Sequence, residues 1–218
     1  MSQKVLHNLQ FKRWKERVES RGNIIKNIDL LATISRNNNS ILYSFLDCKL
    51  LTPEGNEIPR CVLLGGDSVV IVPVLTCIDN DEIYTMMIEQ RRIIDGDFAV
   101  EFPSGSLENL DNDLGELALQ ELKEELLLSL KRQDIKPLAN GPLKINPTVE
   151  GNLVYFFYFE ERVTIKYLSK MNDRKTGKFS DGEYLRIKVF KMSEVADNLT
   201  SSALIGIKLL EKTLNCYF

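Results

Sequence analysis

The segment from Leu114 to Leu130 constrains this chain most. It is dense in Leu, Glu, Lys and Ala, its only glycine is Gly115, and such a composition predicts a long amphipathic helix. Strand-forming runs flank it on both sides. Ser68 to Ile78 is rich in Val and Ile and suits a fully buried strand, and Glu82 to Arg92 reads as the next. A turn at Asp95-Gly96-Asp97 leads to a short strand, Phe98 to Phe102, and Val154 to Phe159 and Tyr184 to Phe190 supply two more. Ser202 to Leu214 reads as a closing helix. Strands before, between and after helices predict an α+β sandwich with a mixed sheet, not a doubly wound parallel fold.

Ahead of this body, Phe11, Trp14 and Val18 recur at helical spacing between Phe11 and Glu19. A hairpin follows, Ile41 to Leu51 and Ile58 to Leu64, joined by Thr52-Pro53-Glu54-Gly55-Asn56. Gly65-Gly66 then breaks the chain. These signals divide the 218 residues into an N-terminal helix and hairpin region, 1–64, and a main domain, 65–218.

Composition removes whole classes of chemistry. The 28 Lys and Arg residues face 31 Asp and Glu, a net charge of -3, so the basic field that a nucleic acid requires is missing. The single histidine, His7, rules against a Ser-His-Asp triad or a multi-histidine zinc site. Cys48, Cys61, Cys77 and Cys216 form no C-x-x-C pair and read as reduced. No run approaches the roughly 18 apolar residues that span a bilayer, and no export signal is visible, so the expected setting is cytoplasmic and the Asn198-Leu199-Thr200 sequon incidental. Catalysis, if present, must run on carboxylates.

The carboxylates that matter lie in Glu101-Phe-Pro-Ser-Gly105 and in Gln120-Glu121-Leu-Lys-Glu124-Glu125. At about 100° per residue, Glu121 and Glu125 stand one turn apart on one helix face with Glu124 beside them. Like charges so placed repel by a few tenths of a kcal/mol per pair when exposed, and by more when buried. A divalent cation reverses that sign. Oxygen-only ligands favour Mg²⁺, with Mn²⁺ second, and a metal held by few carboxylates keeps positions for water and phosphate oxygens. The pattern alone also describes a solvated helix face, since composition produces it about once in a chain of this length.

The surroundings break that tie. Pro-Ser-Gly, an acidic loop and Gln-Glu-Leu-Lys-Glu-Glu resemble the Nudix box, G-x5-E-x7-R-E-U-x-E-E-x-G-U with U bulky and apolar. Phe11-Lys-Arg-Trp14, Glu57-Ile-Pro-Arg60, the strand from Ser68, Ile88-Glu-Gln-Arg-Arg92 and Gly177 to Glu183 occur in the order seen in ADP-sugar diphosphatases of the plant-type branch, which hydrolyses ADP-glucose and ADP-ribose. The resemblance implies a Nudix α/β/α sandwich and a homodimer formed through the N-terminal region. It makes Glu121 and Glu125 the principal metal ligands, with Glu124 in support and the Ser104 carbonyl a further ligand. It sets Arg92, Glu101 and, more weakly, Arg91 against substrate. It puts the general base at Glu183, with Glu150 as runner-up. For each of these residues the ordinary alternative is a solvated charge or a local ion pair.

The chain departs from the box in three places. Gln120 stands where the box has arginine, and an amide hydrogen-bonds without supplying charge. The acidic residue in mid-box has no unambiguous counterpart among Glu108, Asp111, Asp113 and Glu116. Leu126-Leu127-Leu128 replaces the later glycine and predicts that the helix continues. Two function classes therefore remain: an Mg²⁺-dependent nucleoside diphosphate sugar hydrolase, and a non-catalytic Nudix-fold module that binds a nucleotide or a protein. Hydrolysis of capped RNA or diphosphoinositol phosphate, which uses the same box, is disfavoured by the acidic balance.

Overall fold

A computed structural model describes residues 8–35, 41–107, 113–179, 182–195 and 200–216. His7, Glu108, Asp111 and the Asn198-Leu199 part of the sequon lie outside them. The described chain gathers into two units. The first takes the residues up to Ser68, together with Ser106, Leu107 and Leu143–Val154; the second takes Val69–Gly105, Asp113–Pro142 and Tyr155 onward.

In the first unit, α1 (Leu9–Glu19) starts at Asn8, whose side chain accepts the Gln10 N–H at 2.7 Å. Its buried stripe, Leu9, Phe11 and Trp14, meets Leu46, Cys48 and Leu64 of a three-stranded sheet ordered β1 (Ile24–Ser35), β2 (Ile41–Leu51), β3 (Glu57–Leu64). β2 and β3 match the expected hairpin. β1 was not expected, because three register shifts, at Ile25/Asn27, Leu30/Ala32 and Ile34/Ser35, break the alternation by which a strand is recognised. Asp67 anchors this unit. Its carboxylate is buried, lies 3.1 Å from Arg13 and 3.2 Å from Arg17, and accepts the Leu153 N–H at 2.9 Å.

The second unit is built on a mixed sheet ordered β10 (Lys175–Thr176), β11 (Leu185–Lys191), β5 (Ile83–Arg91), β4 (Ser68–Cys77), β9 (Val154–Val163), β8 (Lys136–Pro137). β4 is buried almost throughout, as its apolar run requires. β4 and β5 pair only at Leu75↔Tyr84 and Thr76↔Ile83. Beyond that point two short strands enter: β6 (Phe98–Glu101) pairs with β5 and β7 (Ser104–Ser106) with β4. The Phe102-Pro103 turn thus sits where the sheet forks, with Ile71 donating its N–H to the Pro103 carbonyl at 2.9 Å. A short helix, α3 (Ile165–Met171), follows β9, and α4 (Ser201–Leu214) brings Gly206 against Val72 and Phe102.

Helix α2 (Leu114–Glu125) carries the acidic motif. Asp113 caps it, accepting the Gly115 N–H at 2.6 Å and the Glu116 N–H at 3.3 Å. Those bonds, Gly115 foremost, and the nearby Arg132 hold the Asp113 carboxyl below its usual range. The helix does not run on to Leu130. Leu127 takes φ 58°, and the Leu126 and Leu128 N–H groups both return to the Leu122 carbonyl at 3.0 Å. Packing explains the stop. Leu126 and Leu128 would lie about 200° apart on a continuous helix, yet both are buried after the turn while Leu127 is left exposed. The left-handed residue falls where the box has glycine.

Candidate functional site

The fork in the sheet and the last turn of α2 build the site within the second unit. Glu125 is a buried carboxylate, 8% exposed, and its Oε2 accepts the Ser104 N–H at 3.0 Å. Burial pushes its carboxyl well above the usual range, and the charges of Glu121, Glu183 and Glu101 push the same way, while the Ser104 N–H opposes them. A helix face that is only solvated has no such residue. Glu121 packs where Gly105 has no side chain: a Cβ there would stand 2.0 Å from Glu121 Oε1. Gly105 is therefore required by the close approach of a carboxylate.

Glu101, at the end of β6, is bridged to Arg92, whose Nε lies 2.9 Å from Oε1 and whose Nη2 also contacts it; Gln90 Nε2 adds a bond at 3.4 Å. Arg91 turns elsewhere. Its guanidinium lies 4.2 Å from the Phe98 ring centroid and donates to the Gly96 carbonyl, tying down the hairpin tip. Glu183 is exposed, and its N–H donates to the Lys178 carbonyl at 3.1 Å. Glu150 falls in the first unit, its backbone bridged to Leu63. Ser104 enters the site through its N–H.

Sequence reasoning missed Lys178. Gln120 Nε2 does hydrogen-bond Glu124, at 3.1 Å from Oε1, and the charge that an amide lacks arrives from Lys178, whose Nζ lies 2.8 Å from Glu124 Oε2. That contact raises the Lys178 ammonium above its usual range; partial burial opposes it, and Glu124, Glu121 and Glu183 support it through their charge. One lysine in the loop before β11 has no spacing signal that would single it out.

The donor set suits a hard divalent cation: four carboxylates share one electrostatic neighbourhood, one of them is buried, and no softer donor takes part. Glu121 and Glu125 would hold it. Among the described residues, no three His, Cys, Asp or Glu side chains converge at ligating distance as they stand.

Comparison with known proteins bears on the fold. The crystal structure of an ADP compounds hydrolase superposes with a TM-score of 0.58 at 16% identity, covering 88% of this chain and 94% of that one. The fold is shared. In sequence the chain is similar to Nudix hydrolase 14, chloroplastic, of Arabidopsis thaliana, at 24% identity over 148 residues. That alignment takes in 65% of this chain and 47% of the relative, so the chain spans about half the length of the curated protein it matches. No family model matches the chain. Among the described residues no helix is long and apolar enough to cross a membrane.

Proposed function

We propose that the protein hydrolyses the diphosphate bond of a nucleoside diphosphate sugar, ADP-ribose or ADP-glucose, to AMP and a sugar phosphate, with Mg²⁺ as the metal and Mn²⁺ as its substitute. One observation carries the reading: Glu125 is buried among like charges, an arrangement that is costly without a cation and useful with one. The structural neighbour, an ADP compounds hydrolase, and the Nudix hydrolase relative support hydrolysis of a nucleotide derivative.

When bound, the metal neutralises the diphosphate and lowers the pKa of an attacking water. The chain's own residues do the rest. Glu121 and Glu125 present oxygen ligands, with the Ser104 N–H fixing the orientation of the Glu125 carboxylate. Lys178 and Gln120 hold Glu124 in place. Glu183 is the general base that accepts the proton from water, since its carboxylate is exposed and acts on Glu125 electrostatically. Arg92, steadied by Glu101, faces the substrate phosphate. The working form is a cytoplasmic homodimer that joins through the N-terminal region and takes neither nucleic acid nor membrane as a partner.

The test is turnover of ADP-ribose and ADP-glucose, with and without Mg²⁺, in the native protein and in Glu125→Gln. Metal-dependent release of AMP that drops at least about 100-fold in the variant supports the reading. Gln120, standing where the box has arginine, favours a second reading, a Nudix-fold nucleotide-binding module. Saturable nucleotide binding without turnover across Mg²⁺ and Mn²⁺ decides for that module.

A further inference from the structure

Within the first unit, α1, one face of the β2–β3 hairpin and the segment 144–153 enclose a cavity of about 270 Å³. Buried Trp14 and Cys48 line its apolar side. Three cations, Arg21, Arg60 and Lys144, stand around it with exposed side chains and, among the described residues, no carboxylate partner. Among the described residues the Arg21 side chain donates only to the Arg17 carbonyl, at 3.2 Å, and the Arg60 side chain only to the Pro59 carbonyl, at 2.8 Å. Glu150 is the one acidic residue among the lining groups. Arg17, also in the wall, is already engaged with Asp67 and the Gly151 carbonyl.

Three cations without a carboxylate partner against one carboxylate, lining one concave wall in a chain of net charge -3, give that wall a positive potential. A fork-shaped guanidinium and an ammonium lining the same cavity together match a phosphate dianion, and the apolar side offers area to the group that carries it. The volume lies near the lower end of small-molecule sites, which suits a mononucleotide or sugar phosphate and is tight for anything larger.

We propose that this cavity binds a small phosphate monoester, with the phosphate held by Arg60 and Lys144 and the organic group seated against Trp14 and Cys48. The site requires no hydrolytic activity and stands whether or not the diphosphate reaction does. Both products of that reaction belong to this ligand class, so the cavity is a place for a product to act back on the protein.

Trp14 is the only tryptophan in the chain, so its fluorescence reports the cavity directly. The intact protein is titrated with AMP, ribose 5-phosphate and inorganic phosphate in EDTA, which removes the metal. A saturable change with one or both esters is expected. Arg60→Glu and Lys144→Glu should each weaken it at least about tenfold, the worth of one charge-assisted hydrogen bond. Arg60→Gln and Lys144→Gln, milder changes at exposed positions, should weaken it in the same direction. Glu125→Gln should leave it unchanged. The proposal is overturned by the lack of a saturable response at millimolar ester, by equal affinity in all four Arg60 and Lys144 variants, by loss of binding in Glu125→Gln, or by an equal response to inorganic phosphate.

Discussion

Gly105→Ala separates the site from the fold. A Cβ at Gly105 would stand 2.0 Å from Glu121 Oε1, 2.2 Å from its Cδ and 2.5 Å from its Cγ, whereas real Cβ contacts essentially never fall under 3.0 Å. The carboxylate end of Glu121 must therefore retreat by about 1 Å, and a misplacement of about 1 Å in a catalytic constellation costs on the order of 100-fold in rate. Stability should hardly respond. Gly105 is outside the left-handed region, so alanine gains about 0.4–1 kcal/mol through the unfolded chain. What moves is the end of a flexible side chain, not backbone. The net change should stay within about 1 kcal/mol, or roughly 2–4 °C in Tm for a chain of this size. The assays are kcat/KM on ADP-ribose with Mg²⁺, Mn²⁺ affinity by electron paramagnetic resonance, and a thermal melt. A variant that keeps native turnover and metal affinity, or that loses them only by unfolding, refutes the placement of Glu121 against the turn.

Leu127→Gly should raise stability by about 0.5–1 kcal/mol, read in a urea melt, because Leu127 pays the left-handed penalty at φ 58° while its side chain is exposed. Lys178→Met should lower kcat/KM about tenfold by releasing Glu124, and adding Gln120→Arg should restore most of it; an unaffected Lys178→Met enzyme would show that the 2.8 Å contact is idle. Burial, aided by Asp47, pushes the Cys48 thiol up to about 11, so at pH 8 on the order of one molecule in a thousand carries the thiolate. Iodoacetamide followed by mass spectrometry should label exposed Cys61 in the native protein and Cys48 only after denaturation. The sign for stability follows. The folded state holds this proton more tightly than the unfolded chain, so the contribution is complete below the ordinary thiol value of 9.0 and drains as pH rises toward about 11.

Local pattern carried much of this molecule. The Val/Ile run of β4, the Pro-Gly turn of the hairpin and the spacing of Glu121 and Glu125 are short-range features; the strands formed where their residues indicated, and α2 began where its residues indicated. β1 escaped because its bulges erase the period of two that marks a strand. The run of three leucines after Glu125 reads locally as more helix, and only the burial of both Leu126 and Leu128 turns it aside.

The chain's sequence alone determined which residues are acidic, which face of α2 they share and how that helix is capped, because those follow from a repeat of 3.6 residues and a side chain two positions away. Tertiary structure alone decided that Glu125 is buried against the Ser104 amide, that Gly105 leaves room for Glu121, and that Lys178 supplies the charge Gln120 lacks. Each of these joins residues at least 16 positions apart. Such contacts come from the forking of the sheet and the closing of a distant loop, which no local period encodes.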